Sequence, residues 1–264
     1  MQESEQFDLL SVAQDAATQA GELLRQEWRD PQRLPDKGFR DWVTKSDLEA
    51  QRLLTRVIGS HFPGHGFLTE ETNDALSTSG RVVWIIDPID GTSNYSRRQP
   101  NFCISLAAVA DGKVQAGVIY DPIRQETFSA AAGGRSSLDG KPVTVSPISD
   151  LAEAIVALDW GHSEAKRKLS LEMLATFAHR VHTIRAIGSA ALALAWVAAG
   201  RLDGYLNVGL KPWDVAAGAL LIRQAGGQLT DWHNNPWSPD EAHEACLASN
   251  GQIHNSLLVG LPNP

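Results

Sequence analysis

The stretch Arg81-Val82-Val83-Trp84-Ile85-Ile86-Asp87-Pro88-Ile89-Asp90-Gly91-Thr92-Ser93-Asn94 joins an unbroken apolar run to two acids three residues apart. A continuous apolar run of this length predicts a fully buried strand, ending at Asp87-Pro88. Pro88 sets the turn, and Gly91 lets the backbone approach a ligand closely. Carboxylates gathered at the carboxyl end of a strand make a hard-cation site, since Mg²⁺ takes oxygen ligands and keeps several waters. Backbone N–H groups after Gly91 can meet phosphate oxygens. The plainer alternative is a solvated Asp-Pro turn capping a helix.

Outward from this stretch, residues 7–28 place Phe7, Leu10, Ala13, Ala17, Ala20, Leu24 and Trp28 at helical spacing. A loop follows over Asp30–Lys37. Ser46 with Glu49 is a capping-box pattern that opens a second helix through Leu53, Leu54, Val57 and Ile58, so Asp47 falls in its first turn. Cys103–Ala110 and Lys113–Tyr120 flank Asp111-Gly112 and predict a hairpin, with Thr127–Ala131 as a further strand. The later chain alternates. Strands are predicted at Ala154–Leu158, Arg201–Asn207, Gln228–Thr230 and Ala245–Ser249. Helices are predicted at Glu164–His179, Ser189–Ala199 and Trp213–Ala225, and a last one running to about Leu258. The expectation is an α+β half over 1–150 carrying most of the acids and an α/β half over 151–264, joined as one compact unit.

The 264 residues carry 31 acidic and 23 basic side chains, a formal net charge of −8. That balance counts against nucleic acid and anionic membrane as partners, both of which want a basic face. It leaves room for an anionic substrate if a cation stands between. Cys103 and Cys246 form no disulfide framework and no zinc spacing, which points to a reducing compartment. The first residues are acidic rather than basic, and Ala190–Ala199 is too short to cross a bilayer. A cytoplasmic protein is expected. No GxGxxG, Walker A, GxSxG or HExxH string occurs, and His179 and His182 read as surface or core residues. Lys166, Arg167 and Lys168 read as an exposed helix start rather than a nucleotide-binding cluster.

Further acids fit the same site. Thr69-Glu70-Glu71 precedes the apolar strand, Trp213-Asp214 opens a helix, and Asp47 opens another. Singly, each reads as a helix cap or a solvated acid, because Asp and Glu favour helix N-termini. Their combination points to a shared site.

Together with Val43-Thr44-Lys45-Ser46-Asp47, Gly188-Ser189-Ala190-Ala191 and Trp213-Asp214-Val215-Ala216-Ala217-Gly218, the opening stretch resembles the inositol monophosphatase family of lithium-sensitive, Mg²⁺-dependent phosphatases. The resemblance covers nearly the whole chain. It implies a layered αβαβα sandwich of the sugar-phosphatase type and a homodimer. It implies that Glu70, Asp87 and the carbonyl of Ile89 hold one metal, and Asp87, Asp90 and Asp214 a second. It makes Asp47 and Thr92 the pair that activates the attacking water, with Glu70 assisting through a third, weaker metal. Gly91 and Thr92 would offer N–H groups to phosphate, and Asp90 and Ala190 would lie against the leaving group. The implied reaction is two-metal, in-line hydrolysis of a small phosphate monoester such as an inositol or sugar phosphate. Histidinol-phosphatase, fructose-1,6-bisphosphatase and 3′-phosphoadenosine nucleotide phosphatase activities share this metal site, and a regulatory binding protein is the rival outside the enzymes. The chain departs from the pattern at Asn207, where animal members carry a Glu that grips inositol hydroxyls. An amide lacks that charge, which puts inositol specificity in question. Lys37 reads as a surface lysine, with a phosphate-reaching role as the alternative.

Overall fold

The computed structural model describes residues 3–34, 42–71, 79–241, 245–259 and 261. Lys37, the side chain of Phe7 and residues 72–78 of the segment between Glu71 and Asp87 lie outside the described residues. In chain order the elements are α1 (Glu3–Glu27), α2 (Lys45–His61), β1 (Gly66–Thr69), β2 (Val82–Asp90), α3 (Thr92–Ser96), β3 (Cys103–Ala110), β4 (Lys113–Asp121), β5 (Glu126–Ala131), β6 (Ser137–Leu138) and β7 (Lys141–Pro142). They continue with β8 (Ile155–Leu158), α4 (Glu164–Phe177), β9 (Thr183–Arg185), α5 (Ala190–Ala198), β10 (Gly204–Val208), α6 (Pro212–Gln224), β11 (Gln228–Thr230), β12 (Ala245–Ser249) and α7 (His254–Leu258).

Alternation along single strands decides how these elements stack. On β2, Trp84 and Ile86 point one way, into a core shared with Leu9, Ala13 and Leu24 of α1 and Leu54 and Ile58 of α2. Ile85 points the other way, into a core built on α5 and α6. That second core also receives Tyr205 of β10 and Ala248 of β12, while their neighbours Leu206 and Leu247 face a third core with Met173, Phe177 and Leu257 of α4 and α7. The period of two therefore gives five layers: α1 and α2, a first sheet, α5 and α6, a second sheet, then α4 and α7. This is the expected αβαβα sandwich. The first sheet has the order β1-β2-β3-β4-β5-β6-β7 and the second β11-β12-β10-β8-β9. Among the described residues no helix is long and apolar enough to cross a membrane.

Two local expectations need correction. The strand of the opening stretch does not stop at Asp87-Pro88 but runs on to Asp90. Its parallel partner β1 ends opposite Ile86, so β3 alone carries the remainder. Between the pairs Asp87–Ser105 and Asp90–Cys103, β2 spends three steps against two, a bulge. Pro88 has no N–H to lose there, and the Ile89 N–H turns to Asp87 Oδ1 at 3.0 Å. The helix α2 is capped not by Ser46 with Glu49 but two residues earlier, by Thr44 with Asp47. The hairpin at Asp111-Gly112 stands as expected, with both residues at positive φ (50° and 67°), the conformation a tight primed turn requires.

The middle layer depends on small side chains. A Cβ added to Gly218 of α6 would come 2.6 Å from Cβ and Cδ1 of Leu194 on α5. Gly218→Val should therefore destabilise the protein by about 1–3 kcal/mol through overpacking. Urea unfolding should show this as a lower midpoint at unchanged slope.

Candidate active site

Four chain segments deliver acids to one cleft of about 490 Å³ between the layers. Its lining includes Glu70, Asp87, Ile89, Asp90, Gly91, Thr92, Ala190, Asn207 and Asp214. Asp47 joins from beneath, where its Oδ1 accepts the Thr92 hydroxyl at 3.0 Å. All ten residues singled out in the sequence are thus brought to one place.

Asp47, Asp90 and Asp214 are each held by backbone. Asp47 accepts the Thr44 N–H at 2.7 Å and the Thr44 hydroxyl, closing the first turn of α2. Asp214 accepts the Lys211 N–H at 2.6 Å, in the same N3-to-N-cap arrangement, at the start of α6. Asp90 accepts the Ser189 hydroxyl and the Ala191 N–H, both at 2.6 Å, at the start of α5. Cap and site readings are therefore not rivals here. A carboxylate has two oxygens and about four lone-pair positions, so an acid capping a helix keeps acceptor capacity for the cleft. Gly91 sits at φ 100°, and a Cβ there would meet the carbonyls of Asn101 and Gly188 at 2.9 and 3.0 Å. Only glycine permits the sharp entry into α3 that presents Thr92.

The electrostatics are those of crowded anions. One carboxylate oxygen from each of Asp87, Asp90 and Asp214 lies within 4.8 Å of the others. Burial and the charges of Glu70, Asp90 and Asp214 push Asp87 well above the usual carboxylate range. Burial and Asp90 push Asp214 up likewise. Burial raises Asp90, against the hydrogen bonds from Ser189 and the α5 backbone. Asp47 is pushed up to about 6 by burial, despite its bonds to Thr44. An all-oxygen, multiply anionic set of this kind fits a divalent hard cation, which would relieve the repulsion that bare carboxylates suffer.

Some lining residues were not anticipated. Asp159, Trp160, His162 and Arg167 line the same cleft. The segment carrying them reads in sequence as an exposed helix start, yet Asp159 is buried. Only the burial of the preceding β8 between two helical layers reveals this, so no local signal was available. Asn207 is buried, with its Nδ2 donating to the Tyr205 hydroxyl at 2.7 Å and its Oδ1 accepting the Val208 N–H at 2.6 Å.

The raised acids make a stability prediction. An acid whose folded pKa lies above its unfolded value binds more protons when folded, so its contribution to stability falls as pH rises between the two values. For Asp47 that window runs from 3.8 to about 6, and Asp87 and Asp214 are shifted in the same direction by burial and their neighbouring acids. In chelator, Tm should fall as pH rises from about 4 to about 6. Saturating Mg²⁺ at the upper pH should restore about 5–10 °C, measured by calorimetry. An Mg²⁺ effect equal at both ends of the range would contradict the assignment of the cluster.

The model of the inositol monophosphatase family matches residues 5–261. "Nus factor SuhB" of Escherichia coli (strain K12) is 37% identical over 227 residues, 85% of each chain. "Inositol monophosphatase 1" of Solanum lycopersicum is 36% identical over 262 residues, 96% of this chain and 94% of its own. The solved extragenic suppressor protein suhB of Bartonella henselae superposes with a TM-score of 0.90 at 32% identity, covering 97% of this chain and 99% of that one. An IMPase of Thermotoga maritima follows with a TM-score of 0.88 at 34% identity, covering 96% of each. The acids gathered at two helix starts and two strand ends sit in a chain that belongs to the inositol monophosphatase family.

Proposed function

We propose that this protein hydrolyses small phosphate monoesters in a Mg²⁺-dependent reaction. The observation that carries the reading is the convergence of Asp87, Asp90 and Asp214 oxygens within 4.8 Å, beside the Gly91-Thr92 turn. Glu70, Asp87, Asp90, Asp214 and the Ile89 carbonyl are the groups that would hold two or three Mg²⁺. Bound Mg²⁺ would supply positive charge to the phosphoryl oxygens and make water more acidic.

The chain's own residues do the rest. The N–H groups of Gly91 and Thr92 receive phosphate oxygens. The Thr92 hydroxyl, already directed at Asp47 Oδ1 and the Ile89 carbonyl, orients the attacking water. As that water attacks in line, the bond from phosphorus to the ester oxygen breaks; the water's proton passes to Thr92 Oγ1, the Thr92 proton passes to Asp47 Oδ1, and the departing alkoxide takes a proton from solvent water. Burial of Asp47, with its pKa about 6, equips it to accept a proton near neutrality. Asp90 and Ala190 face the leaving group. Inositol or sugar phosphates are the substrate class favoured by the family; histidinol phosphate, fructose bisphosphate and 3′-phosphoadenosine nucleotides are the rivals. Free, buried Cys103 and Cys246 support a cytoplasmic setting, and family resemblance supports a homodimer inhibited by Li⁺.

The relatives named Nus factor SuhB motivate a second reading, a regulatory binding protein. The intact acid set favours the enzyme, and the net charge of −8 favours a small phosphorylated partner over nucleic acid or membrane.

A panel of phosphate monoesters assayed with Mg²⁺, then with Li⁺ added, tests the proposal. Asp47→Asn should lower kcat by on the order of 10²–10⁴-fold while keeping Mg²⁺-induced stabilisation. Asp90→Asn should lose both. Mg²⁺-independent release would overturn the metal dependence, and no release from any ester would overturn the enzyme reading.

A further inference from the structure

One buried acid of the cleft has no part in the reaction just described. Asp159 follows β8 at the cleft wall and is 7% exposed. Its Oδ1 accepts the Gly188 N–H at 2.9 Å. Its Oδ2 is shielded from solvent and, among the described residues, has no hydrogen-bond partner. A buried carboxylate oxygen left in that state is costly, and a donor arriving in the cleft would satisfy it.

The neighbouring strand shows why Asp159, rather than Asn207, is suited to read a ligand. The Asn207 Nδ2 donates to the Tyr205 hydroxyl oxygen, and the Asn207 carbonyl is taken by the Val208 N–H. Because the Tyr205 oxygen accepts from Asn207, its own proton is left to point elsewhere, and the hydroxyl lies near enough to Asp159 to favour the anion without closing a hydrogen bond to it. The chain of groups runs Asn207, Tyr205, Asp159, and it ends on the acid. Asp159 is also tied to the reacting end. It grips Gly188, while Asp90 grips Ser189 and Ala191, so the two acids flank one short segment leading into α5. Trp160 stands beside it at the rim, 37% exposed.

We propose that Asp159 is the specificity-determining acceptor of this site, receiving a hydrogen-bond donor, a hydroxyl or an ammonium, carried on the leaving group of the phosphate ester. The inference rests on the phosphatase reading and adds the chemistry of the substrate's far end. It also accounts for the amide at position 207: the charged contact is moved one strand across, from β10 to the end of β8, with Tyr205 as the link.

The test compares the ratio of variant to wild-type kcat/KM, with Mg²⁺ present, for three esters. An inositol monophosphate offers hydroxyls, phosphorylethanolamine offers an ammonium, and para-nitrophenyl phosphate offers no donor. Asp159→Asn should lower the ratio for a donor-bearing ester roughly ten- to hundredfold more than for para-nitrophenyl phosphate. The donor-bearing ester that suffers the larger loss identifies hydroxyl or ammonium as the group read. Tyr205→Phe leaves the carboxylate in place and removes only the hydroxyl behind it. It should produce a smaller difference in the same direction, and it carries the comparison alone if Asp159→Asn does not fold. Equal losses on all three esters, or no loss, would overturn the inference and leave the phosphatase reading standing. Absence of Mg²⁺-dependent release by the wild-type protein would remove both.

Discussion

Like charges a few ångströms apart repel strongly once water is removed, because little dielectric screening remains. Asp87, Asp90 and Asp214 are placed in that situation, with Glu70 close enough to raise Asp87 further. Left to local forces, such side chains would swing into solvent. The architecture prevents this by committing each acid to a backbone element that cannot move without unmaking a helix or a strand. Asp214 closes the first turn of α6, Asp90 caps α5, and the Asp87 oxygen is held by the bulge at Ile89. The repulsion is thereby stored in the folded protein, ready to be relieved by a cation.

The same arrangement explains why the middle helical layer is rich in small residues. For α5 and α6 to aim their starts at one cleft, the two helices must lie close between two sheets. Ala190–Ala198 is almost wholly buried, and Gly218 lies against Leu194. On the other side, a Cβ at Gly117 of β4 would meet the Ala217 backbone at 3.2 Å. Packing at this density leaves little freedom to shift one element alone. The distance between the acids is therefore set by contacts well removed from the cleft.

Much of this was legible in the chain itself where the deciding interactions are local. The apolar run Val82–Ile86, the Asp111-Gly112 turn, and the helix starts at Asp47 and Asp214 follow from period, turn chemistry and capping preference, which act over a few residues. The errors were also local in kind. Ser46 with Glu49 satisfies the capping-box spacing as well as Thr44 with Asp47 does, and only the folded backbone, with Thr44 extended and both its N–H and its hydroxyl on Asp47, shows which is used. Pro88 reads as a strand terminator because a ladder normally needs its N–H. In the structure, β1 has already ended where Pro88 begins, so nothing is lost by continuing.

By itself, then, the sequence determined which residue types could make a cation-binding, phosphate-directed site, and roughly which elements carry them. The tertiary structure alone decided the environment of each group. It turned an apparently exposed acid, Asp159, into a buried one, and it engaged the amide of Asn207, at the cleft wall, with Tyr205 and Val208. The physical reason is that burial and cross-strand partnership are properties of how layers meet. Asp159 and Gly188 are 29 residues apart in the chain, and Asp90 and Ala191 are 101. No periodicity or local propensity carries information across such separations, whereas the closing of two sheets over a shared helical layer sets them directly.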